Sequence, residues 1–448
     1  MSAAFWVAFY LVIFGLGREL SQRRYRKINR CFKVLRERRG GVVKEEPVGP
    51  FVNLVFGRND PIYEVEIDGL TVTVGYVVKQ GTFISISGDL PTDISIGPET
   101  TINSLSKLVG MDDPEIGQPT FDELAYLDGD LTQLLSYLNR EARRATLLGL
   151  ERGATLRNGE VKLQLDRKLM DVTEMLESIE FALDMATTLR RGERGQAGRL
   201  IHVIRTDTNR TIRENCLSAL LRVHPNLAIT RKFTQELLSD RSASIRFMAA
   251  RSRRTDGTAT LESLVTTPNT PVNIRVDALL LFLQRCHDRD VIHEVLEACM
   301  TGPHELILSA LEIARSQDIV VNATLLDDVE KSDHLDVLKA LAEYSVVVPN
   351  RRSMDRLARL FHSESADVIQ AAGRSLGQIG TAEFVSHLQE AKSRLPRSAY
   401  ASIDSAILAI QARVSPTLVG GLSIRRDADR GGLSVRDHDA IDEVSDSS

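Results

Sequence analysis

The sequence predicts a multidomain protein: an N-terminal transmembrane helix, a small α+β domain with antiparallel hairpins, a C-terminal all-α solenoid and a disordered tail. Three observations support this fold class. The chain begins with an uncharged apolar segment, its middle part alternates apolar and polar residues around two hairpin dipeptides, and its second half repeats small residues. With 448 residues and 43% hydrophobic content, the chain is long enough for two or three domains with separate cores.

The N-terminal segment, residues 1–17, is uncharged and apolar and predicts a transmembrane anchor. A basic segment follows at 18–46, so the positive-inside rule places the N-terminus outside and the bulk of the chain in the cytoplasm. We expect this segment to form a juxtamembrane helix whose basic side chains contact anionic lipids. The candidates are Arg23, Arg24, Arg26, Lys27 and Arg30. A cleaved export signal, which would leave the protein in the periplasm, is the alternative, although such signals carry their basic residues before the apolar run.

The charge and the cysteines exclude some classes of function. The net charge of −5 combines this basic segment with an acidic remainder, and a general nucleic-acid binder would need a broad basic face. The four cysteines form no C-x-x-C pair and lie in apolar, helix-like sequence. We therefore expect buried, reduced thiols, which suit a cytoplasmic protein.

Residues 51–190 are predicted to form the α+β domain. Two alternating runs, Ile62–Ile67 and Leu70–Val78, surround an Asp-Gly dipeptide and predict a type I′ hairpin. Flanking strands at Phe51–Phe56 and Thr82–Ser87 complete an antiparallel sheet of about four strands.

The second part of this domain is predicted to contain a helix, a hairpin and a longer helix. The first helix covers Leu131–Arg144, and the hairpin turns at Asn158-Gly159. Asp171 is predicted to cap the longer helix, which ends at Arg190. The glycines of residues 191–198 follow a helix rather than a strand, so they indicate a hinge between domains and no dinucleotide site.

Small residues recur about every thirty positions through residues 199–414, where we expect pairs of helices. These small residues, placed in the middle of each second helix, are Cys216, Ala249, Ala278, Ala310, Ala340, Ala372 and Ala406. The first three pairs share the pattern Ile-Arg-x-x-small, and Asp207, Asp240 or Asn269 stands ahead of each Ile. The spacing predicts that the Asp or Asn caps the following helix and that the small residue lets the partner helix approach closely. We expect the Arg to lie exposed beside the turn.

This pattern resembles the signature of the HEAT-repeat family. The resemblance covers residues 195–414 and weakens later in the chain, where Leu306, Asp336 and Val368 occupy the Ile position. It implies about six or seven helical pairs in a right-handed superhelix whose concave face binds proteins and, more rarely, nucleic acid. The whole chain also resembles uncharacterised bacterial membrane-anchored proteins with a C-terminal HEAT region, a resemblance that implies no particular activity.

The expected function is a membrane-tethered protein–protein interaction scaffold that binds an unknown partner through the solenoid. The candidate partner-binding residues are Arg213, Arg246, Arg251, Arg254 and Arg275. A HEAT-like enzyme or a polyanion binder is the alternative, because the fold alone does not exclude activity. That alternative requires arginines, including Arg253, Arg351 and Arg352, to line the concave face.

No catalytic residues, cofactor or metal ion are predicted. The densest group of metal-binding residue types contains Cys286, His287, Asp288, Asp290 and His293. Its two histidines lie on different helical faces, so this group does not predict a metal site.

Residues 415–448 are rich in Gly, Asp and Ser and predict a disordered tail. Two similar segments, 420–425 and 431–436, both read Gly-Gly-Leu-Ser followed by an aliphatic residue and Arg. As the alternative to plain disorder, these segments could serve as docking peptides for a partner.

Overall fold

The fold is taken from a computed structural model of the chain. The structure describes residues 26, 30, 33, 34, 36–38, 42–45, 61–77, 81–99, 114–165, 172–190, 192, 194–252, 255–394 and 400–414. The chain divides into two compact units, Met1–Thr255 and Asp256–Ser448. The first unit holds an antiparallel sheet together with the first helices of the repeat region, and the second unit is helical.

In the described part of the first unit, eight strands form one antiparallel sheet in the order β1-β2-β3-β4-β8-β7-β5-β6. The strands are β1 Val42–Glu45, β2 Pro61–Ile67, β3 Leu70–Val77, β4 Gly81–Ser87, β5 Ile94–Pro98, β6 Ala125–Gly129, β7 Ala154–Arg157 and β8 Glu160–Leu165. One face of the sheet is apolar because side chains alternate along each strand, as Val72 and Val74 of β3 and Ile84 and Ile86 of β4 show by their burial.

Both predicted hairpins are confirmed. The dipeptides Asp68-Gly69 and Asn158-Gly159 have positive φ at both residues, between 50° and 74°, as a type I′ turn requires. The two hairpins belong to the same sheet, because β4 pairs with β8 and Ile84 lies opposite Leu163.

The sheet is larger than the predicted four strands. The pattern did not reveal β5 and β6, which are short and end in Pro98 and Gly129, residues that are typical of turns. Val42–Glu45, inside the predicted basic helix of residues 18–46, pairs with β2 as a strand, so that helix does not reach residue 46. The predicted strand Phe51–Phe56 lies outside the described residues.

Four helices whose ends are both described accompany the sheet: α1 Pro119–Asp122, α2 Leu131–Tyr137, α3 Arg140–Glu151 and α4 Val172–Leu189. The single helix predicted at Leu131–Arg144 is two helices, because the chain breaks at Leu138 and Asn139 caps α3 by accepting the Ala142 N–H at 2.9 Å. α4 buries Met175, Ile179 and Leu183 and contacts β4, β8 and α3. Asp171, its predicted cap, lies outside the described residues.

From Gln196 to Val414 the described residues form seven successive pairs of helices. Their members are α5 Gln196–Thr206, α6 Arg210–Val223, α7 Ala228–Leu237, α8 Ala243–Arg251, α9 Thr258–Thr266, α10 Val272–Arg285, α11 Arg289–Cys299, α12 His304–Ser316, α13 Ala323–Val329, α14 Leu335–Tyr344, α15 Arg351–Leu360, α16 Ala366–Ile379, α17 Val385–Arg394 and α18 Tyr400–Val414. A short 3-10 helix, Ala382–Phe384, precedes α17.

The second helices of successive pairs pack on one another. In the first unit α6 contacts α8, and in the second unit α10, α12, α14, α16 and α18 contact each other in turn. Each of the seven small residues that reveal the period is buried, from Cys216 in α6 to Ala406 in α18. The small residue therefore occupies the position where a larger side chain would separate stacked helices.

The sheet and the first two helical pairs share one hydrophobic core. The cluster of buried side chains in the first unit runs without interruption from Val65 in β2 to Ala249 in α8. A second cluster, in the C-terminal pairs, contains Leu357, Phe361, Ile369 and Ile403.

The proposed anchor, residues 1–17, and the tail, residues 415–448, lie outside the described residues. Within the part of the chain that is described, no helix is long and apolar enough to cross a membrane.

Candidate functional site

The arginines of the Ile-Arg-x-x-small pattern are mostly structural. Arg213 and Arg275 are buried, each with 5% of its surface exposed, so the expectation that these side chains lie exposed beside the turn is not met. Arg213 donates from Nε to the Ile204 carbonyl oxygen at 2.7 Å, and Arg275 donates to that of Val265 at 2.8 Å. A cation near the C-terminal end of a preceding helix satisfies carbonyl groups that lack a partner within the helix.

In the turn before α8, Asp240 accepts a hydrogen bond from Arg213 of the previous pair. Arg213 lies 2.5 Å from the Asp240 carboxylate, and both side chains are largely buried. Asp240 also accepts the Ser242 N–H at 2.8 Å, two residues further on. Asp240 therefore stabilises its own turn and links neighbouring pairs. In the first turn, Asn209 rather than Asp207 caps the helix that follows.

The same link joins the sheet to the first helical pair. Arg143 in α3 donates to Asp207 at 2.8 Å, and the two side chains are 4% and 1% exposed. Arg143 also donates to the Leu138 carbonyl at 2.8 Å and to the Gln118 side chain at 2.6 Å. Like Arg213, Arg143 donates to a carbonyl at the end of the preceding helix and to an aspartate of the following turn. The helices α2 and α3 are therefore arranged like a helical pair that precedes the first repeat.

Sequence reasoning missed Arg143, although a signal was present. Residues 142–146 read Ala-Arg-Arg-Ala-Thr, which matches Ile-Arg-x-x-small when Ala and Thr replace Ile and the small residue. Ala142 and Thr146 are both fully buried, as the matching positions are in the repeats.

The other candidate arginines differ in their positions. Arg246 is half-buried and donates to the Asp240 carbonyl at 2.8 Å, whereas Arg251 is exposed at the end of α8. Arg254 and Arg253 lie outside the described residues. In the second unit Arg351 pairs with Glu383 and Asp355, and Arg352 pairs with Asp327.

These contacts do not favour an arginine-lined polyanion site. Arg213 and Arg275 point their guanidinium groups into internal hydrogen bonds, and the charges of Arg351 and Arg352 are balanced by carboxylates within 4 Å.

Arg251 lines a groove of about 390 Å³ between the second helix of the first pair and both helices of the next. The groove residues are Ser218, Leu221, Pro225, Thr230, Arg231, Thr234, Met248, Arg251 and Ser252. We call this feature the α6–α8 groove. Its apolar floor comes from Leu221 and Met248, which pack against the core from a partly buried position.

A buried hydroxyl lines the α6–α8 groove, and exposed apolar side chains lie next to it. The Thr230 side chain is 1% exposed, and its hydroxyl has no hydrogen-bond partner among the described residues. Three apolar side chains at the adjacent α6–α7 turn are unusually exposed: Val223 at 45%, Leu227 at 44% and Ile229 at 53%. Of these features, the exposed aliphatic side chains are the ones that a bound polypeptide would cover.

Two of the three cysteines in the described part of the chain have buried thiols. Burial raises the pKa of Cys216 and that of Cys299 to about 12, so both stay protonated near neutral pH. Cys286 is partly exposed at the end of α10, and no group of three or more His, Cys, Asp or Glu side chains in the described ranges is arranged to hold a metal ion.

Of the candidate lipid contacts, Arg26 and Arg30 are helical and exposed. Arg23, Arg24 and Lys27 lie outside the described residues.

Comparison with known proteins gives little further guidance. No family model matches the chain, and no curated protein matches it either. Among solved structures, the crystal structure of an engineered protein is 17% identical and covers 49% of this chain and 98% of its own, with a TM-score of 0.21. That score is too low to support an argument, so membership of the HEAT-repeat family remains a prediction from the sequence.

Proposed function

We propose that this protein is a membrane-tethered scaffold that binds another protein through an α-solenoid of HEAT-like repeats. The observation that carries the proposal is the α6–α8 groove, an open groove between successive helical pairs. Stacked helical pairs repeat similar surfaces along the chain, and such surfaces commonly bind extended segments of other proteins.

The composition of the groove suggests the chemistry of the partner. Leu221 and Met248 offer an apolar floor, and Arg231 and Arg251 add positive charge at the rim. A segment that alternates aliphatic and acidic side chains would match both features. Methionine adapts its shape to different apolar side chains, which suits a recognition surface.

The tether is proposed from the sequence of residues 1–17 and the basic residues that follow. This arrangement would place the groove in the cytoplasm, close to the membrane surface. Exposed Arg26 and Arg30 are compatible with contacts to anionic lipids.

Point substitutions in the groove test the binding proposal better than a truncation, because the core of the first unit continues into α8. The variants are Arg251→Glu and Met248→Glu, and Arg241→Glu is the control with a matched charge change on an exposed residue outside the groove. Proximity labelling in membranes with each full-length variant would identify neighbours by quantitative mass spectrometry.

We expect a set of proteins that both groove variants lose and the Arg241→Glu control retains. Melting curves must first show that the variants fold. An identical set of labelled proteins in all variants would rule out the α6–α8 groove as the binding surface.

The tether has its own test. The full chain should float with phosphatidylcholine–phosphatidylserine vesicles at high salt, because an inserted apolar helix is insensitive to screening. Deletion of residues 1–17 should leave at most a weak, salt-sensitive association through the basic segment. Equal flotation with and without residues 1–17 would contradict the anchor.

A further inference from the structure

A polar cleft of about 350 Å³ lies in the second unit, where the second helices α12, α14 and α16 stack on one another. We call this feature the α12–α16 cleft. Residues of the three helices line it, together with residues of the turns that follow α12 and α14. In the second of these turns, the half-buried side chains of Val346 and Val347 give the cleft an apolar part beside its polar groups.

Two charged side chains of the α12–α16 cleft make no hydrogen bond to the described residues. The Arg374 Nη2 atom is 3.9 Å from the Glu343 carboxylate, beyond hydrogen-bond distance, and the Arg374 side chain is 59% exposed. The Asp318 carboxylate, in the turn after α12, has no ion-pair partner in the described part of the chain. Glu343 itself is paired with Arg315. The cleft therefore offers one guanidinium and one carboxylate to a ligand that carries both charges.

The residues that line this cleft repeat a sequence pattern of the α6–α8 groove. Residues 372–375 read Ala-Gly-Arg-Ser, and residues 249–252 read Ala-Ala-Arg-Ser. In each pattern the arginine and the serine line the cavity, and the first alanine is the small residue of the repeat. Both cavities therefore lie at the same position of a helical pair. A cavity at a repeated position suits the extended polypeptide segments that solenoids commonly bind.

The last helix, α18, ends beside the α12–α16 cleft, and the tail follows it. Near the end of α18, Arg413 donates to the carbonyl oxygens of Gly377 and Gly380 at 2.7 Å each, and to that of Gln378. Gln378 is one of the residues that line the cleft. The repeated segment 420–425 starts seven residues after Arg413, and seven extended residues span up to about 24 Å. The tail is therefore long enough to return to the cleft.

We propose that the tail docks into the α12–α16 cleft of its own chain through its two repeated segments. In both segments a serine stands between two aliphatic residues, and one or two arginines and then an aspartate follow. The aliphatic side chains match the apolar part of the cleft. The arginine matches the carboxylate of Asp318, and the aspartate matches the guanidinium of Arg374. The residues concerned are Leu422, Ile424, Arg426 and Asp427 in the first copy, and Leu433, Val435, Arg436 and Asp437 in the second.

The connection to α18 makes a small cleft sufficient. Its volume is at the lower end of the range for ligand pockets, so a separate peptide of this sequence should bind weakly. A segment joined to the protein by a short flexible linker has an effective concentration on the order of 1 mM. A dissociation constant of about 1 mM therefore fills the cleft half of the time, and a second copy of the segment raises that fraction. The proposal rests neither on the α6–α8 groove nor on the membrane tether.

The experiment measures hydrogen exchange of the tail amides in the full-length protein by mass spectrometry at short labelling times. Synthetic peptides of the two repeated segments give the exchange rates of undocked segments. Arg374→Glu is the cleft variant, and Arg289→Glu is the control with the same charge change on an exposed residue of the second unit outside the cleft. A third variant combines Leu422→Asp with Leu433→Asp. It changes only the tail and so leaves the helices of the cleft intact.

In the native protein the repeated segments should exchange at least about twofold more slowly than their synthetic peptides. Arg374→Glu and the tail variant should lose this protection, and Arg289→Glu should keep it. Adding Asp427→Arg and Asp437→Arg to Arg374→Glu should restore protection, because the charges of tail and cleft are then opposite again.

Three results would overturn the proposal. The first is exchange in the native protein at the rate of the synthetic peptides. The second is protection that survives in Arg374→Glu, or that is lost equally in Arg289→Glu. The third is protection that disappears on dilution, because docking within one chain is independent of protein concentration, whereas docking of a second copy's tail is not.

Discussion

At the scale of single residues, the buried pair of Arg143 and Asp207 connects the sheet to the helical pairs. Two charges in the protein interior lose solvation, and this loss is offset only when hydrogen bonds satisfy both groups. Here Arg143 donates to three acceptors, and Asp207 also accepts the Asn209 N–H at 2.8 Å. The pair therefore fixes how α3 and the first turn of the repeat region fit together.

Substitution of Asp207 by Asn should be strongly destabilising, because it leaves the buried guanidinium of Arg143 without a counter-charge. Breaking one side of a buried pair costs roughly 3–5 kcal/mol. Urea denaturation of the full chain would measure the loss as a lower transition midpoint. Glu214→Gln is the control, since its pair with Arg210 is exposed and should contribute less than about 1 kcal/mol. Similar small effects of both substitutions would show that the buried pair does not join these parts.

At the scale of elements, the close approach of α16 and α18 depends on glycine. A Cβ atom at Gly377 would lie 2.9 Å from both the Cα and the Cβ of Ala406, closer than real contacts of this kind. Ala406, the small residue predicted for the last pair, therefore packs against Gly377 of the preceding pair.

Gly377→Ala should therefore destabilise the second unit, although alanine normally favours a helix over glycine. Overpacking costs about 1–3 kcal/mol and exceeds the gain in helix propensity of about 1 kcal/mol. Gly198→Ala in α5 is the matched control, because its Cβ would have only the Arg194 side chain nearby, at 3.6 Å. Thermal unfolding would compare the two. A rise in melting temperature for Gly377→Ala would mean that the helices separate easily.

The ion pairs between α13 and α15 should make the second unit sensitive to acid. Asp327 accepts hydrogen bonds from Arg352 and from Arg356, at 2.6 Å for the latter, and these lower the pKa of its carboxyl from 3.8. A carboxyl with a lowered pKa in the folded state stabilises the fold above its unfolded pKa. That contribution is lost as pH falls from about 3.8 through the lower folded pKa.

Asp327→Asn should accordingly be less stable than the native chain at neutral pH and lose less stability than the native chain across this acidic range. Chemical denaturation at a series of pH values would test this expectation. Asp328→Asn is the control, because Asp328 is largely exposed and pairs only at the surface, with Lys331. Parallel stability curves for the native chain and Asp327→Asn would contradict the role of Asp327.

The elements also show what the sequence can reveal. Local signals found the hairpins, because Asp-Gly and Asn-Gly adopt the positive φ of a type I′ turn almost independently of their surroundings. They also found the seven small residues, because helix stacking constrains size at fixed spacing. Short strands such as β5 depend on partners far along the chain, so no local pattern indicated them. The burial of Arg213 was missed for the same reason, since Asp240 belongs to the next helical pair.

At the scale of the whole molecule, the residues that divide the predicted domains lie inside one compact unit. Residues 191–198 were predicted as a hinge, and under that prediction the α+β domain of residues 51–190 would fold by itself. The structure instead continues the buried cluster of the sheet through α5 and α6 to α8, with Leu200, Ile204 and Ile212 fully buried. The first unit ends at Thr255.

Two fragments distinguish these possibilities. A fragment that ends at Thr255 should unfold cooperatively and resist proteolysis, because it keeps the continuous core and the Arg143–Asp207 pair. A fragment that ends at Arg190 removes Asp207 and every repeat residue that covers Leu135 and Tyr137 of α2. Exposed apolar surface and an unpaired buried arginine should make it aggregate or melt without a cooperative transition. Cooperative melting of the shorter fragment, at a temperature close to that of the longer one, would instead support an independent α+β domain and a true hinge after it.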